Sequence, residues 1–217
     1  MKRSDSRILT THTGSLPRPP DLVVLLNKKE LGEPYDQGAF DARIARAIAE
    51  VVERQADTGL DIVDDGEHSK VNWMAYARGR LVGLEEIDSA PRFRGATRDS
   101  LAFPGAYEDA RVMLAARSGA IVPKRTVRPR ALVCSGPIRY VGQDEVRADT
   151  ENLKAALAGV DATEGFMTAI SPSNLELYYE NRYYASDEEY LAALADAMHQ
   201  EYKAIVDAGF ILQIDDP

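Results

Sequence analysis

A chain of 217 residues that is 45% hydrophobic and 28% charged has an ordinary globular composition, with enough apolar residues for one sizeable core. Its 26 Lys and Arg against 35 Asp and Glu give a formal net charge of −9, which argues against general binding to nucleic acid or to anionic membranes. No apolar run approaches the roughly 18 residues of a membrane span, no signal-peptide pattern opens the chain, and the single cysteine, Cys134, excludes an intrachain disulfide framework and a multi-cysteine zinc site built by this chain alone. A cytoplasmic location is expected.

Residues 7–13, R-I-L-T-T-H-T, are short and β-branched and run into Gly14-Ser15-Leu16-Pro17, which predicts a first strand breaking into a glycine-containing loop. Pro19, Pro20 and Asp21 start a short helix with Leu22, Leu25 and Leu26 inward. Phe40, Ile44, Ile48, Val51 and Val52 recur at helical spacing, predicting a longer helix that Gly59 ends and that feeds a strand over 60–64. After Gly66-Glu67-His68-Ser69 a helix is expected around 71–82, carrying the only tryptophan, Trp73. Residues 85–130 are polar, rich in Arg and punctuated by Pro and Gly, and predict an excursion from the core in hairpin form. A strand over 130–135 ending at Gly136-Pro137, a helix around 146–158 and a strand over 165–171 closed by Pro172 follow. Residues 178–184, Y-Y-E-N-R-Y-Y, form an aromatic connector. Ser186 with Glu189 is a capping box for a last helix marked by Leu191, Leu194, Ala195, Met198, Tyr202, Ile205 and Val206. Gly209 closes that helix, and an apolar run then delivers Asp215 and Asp216.

One phrase occurs twice. Residues 57–65, D-T-G-L-D-I-V-D-D, and residues 207–216, D-A-G-F-I-L-Q-I-D-D, each join a helix end, a glycine, an apolar strand and two acids. Two junctions of one kind imply a repeated β/α unit that presents acids at a common rim. Strands near residues 8, 61, 166 and 211 alternating with helices predict a parallel sheet covered by helices. A closed eight-stranded barrel takes about 250 residues, and about four β/α units are visible here. The expectation is an α/β fold of the TIM-type (β/α)8 barrel family. Residues 1–217 would form a single partial barrel domain, covering about the first half of the barrel plus the inserted hairpin.

Three rim segments carry the chemistry: residues 11–17, T-H-T-G-S-L-P; Asp65-Gly66-Glu67; and Gln213-Ile214-Asp215-Asp216-Pro217. In order and spacing they resemble the cobalamin-independent methionine synthase family, whose catalytic barrel carries T-x-x-G-S-x-P, x-G-E and Q-I-D-x-P after its first, second and fourth strands. The resemblance implies that the Ser15 backbone N–H receives the carboxylate of an amino-acid substrate while Glu67 and Asp215 hold its ammonium group, with His12, Gly14 and Asp65 as neighbours. An exposed loop amide suits a carboxylate, and two carboxylates converging on one cation make charge-assisted bonds. His12, Thr13, Asp65 and Asp216 depart from the Thr, apolar residue, His and Glu usual in the two-barrel enzymes. The chain looks like the short, single-barrel branch, in which methyl donors and thiol acceptors vary.

The resemblance further implies a methyltransferase that moves a methyl group from methylated folate, as co-substrate, to a thiol such as homocysteine. Family members activate the thiol on zinc through a His-x-Cys pair, a Glu and a further Cys on strands beyond Q-I-D-x-P. The zinc ligands are therefore expected beyond residue 217, no catalytic or metal-ligating residue is assigned to this chain, and the chain alone is expected to be inactive. Cys134 reads as a buried small apolar residue; His12, Glu67 and His68 offer a metal set in principle but without the expected ligand spacing; His199 reads as solvated. Lys124, Arg125, Arg128 and Arg130 read as a solvated hairpin face, with the anionic tail of a folate as their other use. The tyrosines at 178, 179, 183 and 184 read as packing, with stacking on a planar cofactor as the alternative. Expected partners are the small-molecule thiol and methyl donor and the missing half of the barrel or a partner chain, with self-association of the exposed edges. Two other readings fit the same residues: a non-catalytic half-barrel binding or assembly module, and a related barrel enzyme, either uroporphyrinogen-decarboxylase-like or an epoxide-to-thiol transferase.

Overall fold

The computed structural model describes residues 2–87, 98–106 and 131–216. In chain order, α1 (Pro20–Glu30) and α2 (Gln37–Asp57) precede β1 (Ile62–Val63), and α3 (Trp73–Arg80) runs directly into β2 (Leu81–Ile87). A short helix, α4 (Arg98–Ala102), is followed by β3 (Ala131–Tyr140), α5 (Gln143–Leu157), β4 (Glu164–Ile170), α6 (Pro172–Tyr178), β5 (Glu180–Asn181), α7 (Asp187–Asp207) and β6 (Ile211–Asp215). The basic run from Lys124 to Arg130 and the greater part of the expected excursion lie outside the described residues. What flanks them, β2 and β3, is an antiparallel pair running from Leu81 opposite Tyr140 to Ile87 opposite Ala131.

The helix ends were written locally. Asp36, Asn72, Ser171 and Ser186 each accept the backbone N–H three residues on, satisfying one orphan donor of α2, α3, α6 and α7. The two repeated junctions close in the same way. Gly59 N–H donates to Ala56 O and Leu60 N–H to Gln55 O; Gly209 N–H donates to Val206 O and Phe210 N–H to Ile205 O. These are Schellman ends, and both glycines sit at the positive φ the motif requires, 91° and 94°. The α2 stripe is buried as expected, from Phe40 to Val52. The α7 stripe is corrected: Leu191, Ala195 and Val206 are exposed, and Tyr190, Ala197 and Glu201 take inward positions beside Leu194, Met198 and Ile205.

The main sheet has the order β1, β4, β6, all parallel, with β4 central and buried along nearly its whole length. Residues 7–13 are not a strand. They lie beside β1 without regular structure, with a bend at Arg7; Thr10 O accepts from both Asp61 N–H and Ile62 N–H and the Thr11 hydroxyl donates to Ile62 O. Arg7 and Thr10 converge on the Asp61 carboxylate, and the Arg7 guanidinium and the Thr10 amide hold that carboxyl well below the usual range. These side-chain bonds take the place of a regular ladder.

A second sheet has the order β2, β3, β5. Gly136-Pro137 does not end β3, which continues to Tyr140. Its register against β2 shifts between Val82 and Leu84, so Pro137, which has no N–H to give a ladder, falls in the bulge. Gly83 opposes it at φ 95°, where an added Cβ would lie 2.6 Å from Pro137 O. The stretch 178–184, which reads in sequence as an aromatic connector, holds the last residue of α6 and the two-residue β5. Of the tyrosines there, Tyr179 is buried, and Tyr184 stacks on Tyr190 and accepts the Ile138 N–H, whereas Tyr183 is exposed, its ring edge-on to that of Tyr184 at 5.1 Å.

Two apolar clusters fill the interior. One joins α1, α2 and α5 to the outer face of the parallel sheet through Met167 and Ala169; the other joins α3, β3, α6 and α7 through Tyr76, Cys134, Tyr179 and Leu194. Between α3, α5 and α7 lies a buried ionic joint. The Arg80 guanidinium pairs with Asp149 and, at 3.2 Å, with Glu201, and stacks over the Tyr76 ring at 4.6 Å. The Tyr76 and Tyr140 hydroxyls donate to the two Glu201 oxygens. With every charge paired or hydrogen-bonded, this joint fixes the angle of α3, and with it the residues α3 brings to the sheet.

Candidate active site

The carboxyl ends of parallel strands are where an α/β sheet presents its ligand-facing residues. There the chain encloses a cavity of about 630 Å³, walled by Ser15, Arg18, Glu67, Lys70, Thr168 and Asp215, with Tyr76, Ile170, Asn174 and Gln213 among its other lining residues. Ser15 comes from the loop after residues 7–13, Glu67 from the loop after β1, Thr168 from β4 and Asp215 from the end of β6. Four stretches far apart in sequence thus meet because parallel strands all point the same way.

Gly14 sets the closeness of that meeting. It sits at φ 124°, and an added Cβ would lie 2.6 Å from Thr168 Cγ2 and 3.5 Å from Glu67 Oε1. The loop backbone at Gly14 therefore runs close against the Thr168 side chain of β4 and the Glu67 carboxylate, with no room for a side chain between. It is tied by Leu16 N–H to Gly66 O at 3.1 Å, and by Gln213 Nε2, which donates to Thr13 O at 2.8 Å. The Ser15 N–H has no acceptor among the described residues, and Ser15 is exposed to the cavity.

Glu67 is the one described non-glycine residue at positive φ, 57°. A conformation of this kind costs of order 1 kcal/mol and persists where the surroundings over-determine it. Here they do. Glu67 N–H donates to Asp65 Oδ1 at 2.9 Å, Gly66 N–H to Asp64 Oδ1 at 2.9 Å, and the Glu67 carbonyl accepts from Arg18 Nη2 at 2.8 Å and from Lys70 N–H at 3.0 Å. The strain aims the Glu67 carboxylate into the cavity, where the Thr168 hydroxyl donates to Oε1 at 2.9 Å.

Lys70 is buried beneath this carboxylate. Its Nζ donates to Thr168 O at 2.9 Å, approaches Thr168 Oγ1 at 3.5 Å and lies 4.5 Å from the Tyr76 ring centroid. Burial pushes the Asp215 carboxyl upward and the Glu67 charge pushes it the same way, against a bond from Gln213 Nε2 and the charge of Lys70. Asp65 lies wholly buried behind Glu67, and desolvation pushes it up to about 7. Asp216 takes no part in this cluster: the Ser171 and Ser173 hydroxyls donate to it and hold it below the usual carboxylate range. The wall thus offers two carboxylates, Glu67 with Arg18 Nη2 at 3.9 Å from its Oε2 and Asp215 with the Lys70 charge acting on it, and beside them a backbone N–H without an acceptor among the described residues. Such a wall can hold a positive and a negative group of one small ligand at once.

Of the residues singled out from sequence, Ser15, Glu67 and Asp215 meet at the cavity, with Gly14 pressed behind them. Asp65 supports the Glu67 turn rather than the cavity. His12 stands behind the loop, its Nε2 bonded to Gln55 Oε1 at 2.7 Å. Arg18, Lys70, Thr168 and Gln213 went unrecognised as site residues. Arg18 follows the T-H-T-G-S-L-P segment directly and Gln213 stands inside Q-I-D-D-P, so proximity to the motifs was a usable signal for both. For Lys70 and Thr168, partners 98 residues apart, none existed.

The zinc implied by the family resemblance does not fit the residues present. Among the described residues no three His, Cys, Asp or Glu side chains are placed to hold a metal ion. The His12, Glu67 and His68 set comes apart because His68 is buried against Ala47 O. Cys134 is buried in the second apolar cluster, where desolvation pushes its thiol upward and the thiol proton points at Gly136 O.

No protein-family model matches this chain, and no curated protein matches it. Solved structures do. A B12-independent methionine synthase from Shewanella sp. W3-18-1, in complex with selenomethionine, aligns over 94% of this chain and 50% of its own length, with a TM-score of 0.62 and 18% identity. A putative vitamin-B12 independent methionine synthase from Listeria monocytogenes aligns over the same shares, with a TM-score of 0.59 and 22% identity. The likeness is one of fold. The chain spans half the length of each of these two relatives.

Proposed function

We propose that this chain is the N-terminal half of the catalytic barrel of a methyltransferase of the cobalamin-independent methionine synthase type. It would bind an amino-acid thiol such as homocysteine for methylation by a donor such as methylated folate. The Ser15 N–H takes the substrate carboxylate, and Glu67 and Asp215 take its ammonium. The thiol-activating zinc is held by ligands outside residues 1–217, in the cytoplasm. The observation that carries this reading is the convergence of Ser15, Glu67 and Asp215 on one cavity at the carboxyl ends of parallel strands. It occurs in a fold shared over 94% of the chain with two methionine synthases. The remaining half of the barrel, or a partner chain, would pair along β6, which among the described residues is bonded to β4 alone and leaves Ile214 half exposed.

Calorimetric titration of homocysteine tests the assignment. Glu67→Gln and Asp215→Asn each remove one charge-assisted contact and are expected to weaken binding by about 1.5 to 3 kcal/mol. A simple alkylthiol, with no amino group, should bind the variants and the parent chain equally. Unchanged homocysteine affinity in both variants sinks the amino-acid reading and favours a related barrel enzyme with another acceptor. The measured fold likeness would be untouched by that result.

A further inference from the structure

His12 has no contact assigned to it in the chemistry above, yet its ring is fixed on both nitrogens. Gln55 Nε2 donates to Val51 O at 3.1 Å and to Asp64 O at 2.8 Å, so Gln55 Oε1 is the acceptor end of that amide. It already accepts the Asp64 N–H at 3.0 Å. The His12 Nε2 that lies 2.7 Å from Gln55 Oε1 and 3.2 Å from Asp64 Oδ1 faces two acceptors and must carry the ring proton. That leaves Nδ1 as a lone pair, and the Gly14 N–H donates to it at 3.2 Å.

We propose that His12 is a positioning residue for the substrate-carboxylate loop: its Nδ1 lone pair holds the Gly14 N–H, and a proton added at Nδ1 releases the loop and weakens the site. The proposal rests on the reading of Ser15 given above, since it is the next amide, Ser15 N–H, that the held loop presents. The geometry allows no other outcome for a second proton on the ring. Nε2 is already protonated, so the proton goes to Nδ1, where it meets the Gly14 N–H head on, donor to donor. Gly14 is buried and has little room to adjust in place, since even an added Cβ would lie 2.6 Å from Thr168 Cγ2 and 3.5 Å from Glu67 Oε1. The loop must lift.

The groups around the ring bias it towards that proton. Asp64 faces it from the β1–α3 loop, with Glu67 beyond; α2 contributes only the neutral Gln55; β4 contributes the Phe166 ring, edge-on at 5.6 Å. The bond to Asp64 raises the proton affinity of the imidazole above its ordinary value, against partial burial. One competitor exists: Asp64 Oδ2 is buried without a partner, and burial raises its carboxyl as well. A proton landing there would leave the Gly14 bond intact.

Amide and ring resonances of the 217-residue chain followed from pH 5 to 8.5, together with homocysteine titrations over the same range, decide the matter. The Gly14 and Ser15 amides are expected to shift with the midpoint read at the His12 ring. Homocysteine affinity should fall about tenfold per pH unit below that midpoint. In His12→Asn the side-chain Oδ1 stands near the place of Nδ1 and accepts the Gly14 N–H but takes no proton. Its amides should be flat through that midpoint and its affinity should fall less steeply, with only the remaining acids of the site titrating. Gly14 indifferent to the His12 titration, or a His12→Asn slope equal to the parent's, overturns the proposal. Absence of homocysteine binding at every pH, with Gly14 following His12, rejects the amino-acid reading and leaves the His12–Gly14 lock standing.

Discussion

Gly14→Ala is the sharpest test of the claim that the substrate loop is pressed against β4. Two costs can be worked from the structure. The φ of 124° is a region that side chains rarely enter, and holding a non-glycine residue in so sparsely populated a conformation costs of order 1 to 3 kcal/mol. The new Cβ would stand 2.6 Å from Thr168 Cγ2, about 1 Å inside normal contact, and overpacking of that kind costs another ~1 to 3 kcal/mol. Thr168 cannot turn away freely, because its hydroxyl is bonded to Glu67 Oε1.

For a chain of this length each kcal/mol shifts the melting temperature by about 2 to 4 °C. Gly14→Ala alone is therefore expected to lower it by at least about 4 °C and to weaken homocysteine binding. Thr168→Ser removes the offending methyl and keeps the hydroxyl. The double variant should recover the steric part and leave the φ part, which appears in a double-mutant cycle as a coupling of about 1 to 3 kcal/mol. Thermal melts of the four proteins measure it. An unaltered melt for Gly14→Ala, or a loss that Thr168→Ser does not relieve, would refute the close approach and with it the placement of Ser15 beside Glu67.

Other consequences are as direct. Asp65 has a folded pKa of about 7 against 3.8 in the unfolded chain, so the folded state holds the extra proton and stability is lost as pH rises from about 4 to about 7. Asp65→Asn should accordingly gain on the parent chain across that window, by at most about 4 kcal/mol; melts at pH 5 and pH 8 showing no pH-dependent gap would contradict this. Glu201→Gln takes the charge from a carboxylate that receives two tyrosine hydroxyls and Arg80, and is expected to cost about 3 to 5 kcal/mol in denaturant unfolding. A loss under 1 kcal/mol would mean the joint does not set the α3 angle. Metal analysis after dialysis should find zinc well below one equivalent, since no thiolate cluster is formed by the described residues; stoichiometric zinc would reverse the assignment of the metal to ligands outside the chain.

What could be read from the sequence was what is decided locally. The two D-x-G junctions announce Schellman ends because the glycine, the helix stripe before it and the apolar strand after it all lie within one short stretch. Of the acids that follow, Asp215 and Asp216 at the end of β6 line the cavity while Asp64 and Asp65 after β1 are buried behind it, and it is Glu67, two residues on, that reaches it. Residues 7–13 misled for the opposite reason. Their β-branched pattern is real, but Arg7 and Thr10 spend their side chains on Asp61, some fifty residues away, and the backbone follows the side chains instead of a ladder. Gly136-Pro137 misled because a strand can carry proline at a bulge, and whether a bulge is present depends on Gly83 in the partner strand.

Lys70 shows why the site could be located but not completed. In sequence it is one more lysine before a helix, with nothing to separate it from a solvated one. Its burial follows from three separate elements: Thr168 on β4 supplies the carbonyl, Tyr76 on α3 supplies the ring, and the Arg80 joint holds α3 in place so that the ring is there. The consequence is electrostatic. The wall of the cavity carries Glu67 and Asp215 close enough for one to raise the other, with Asp65 uncharged for part of the accessible pH range behind them. The buried Lys70 ammonium, bonded to Thr168 O, holds the Asp215 carboxyl down against its burial and against the Glu67 charge. Without Lys70 the Asp215 carboxyl would lose the charge that opposes its burial and would be pushed further upward, and a protonated Asp215 has lost much of its attraction for an ammonium group.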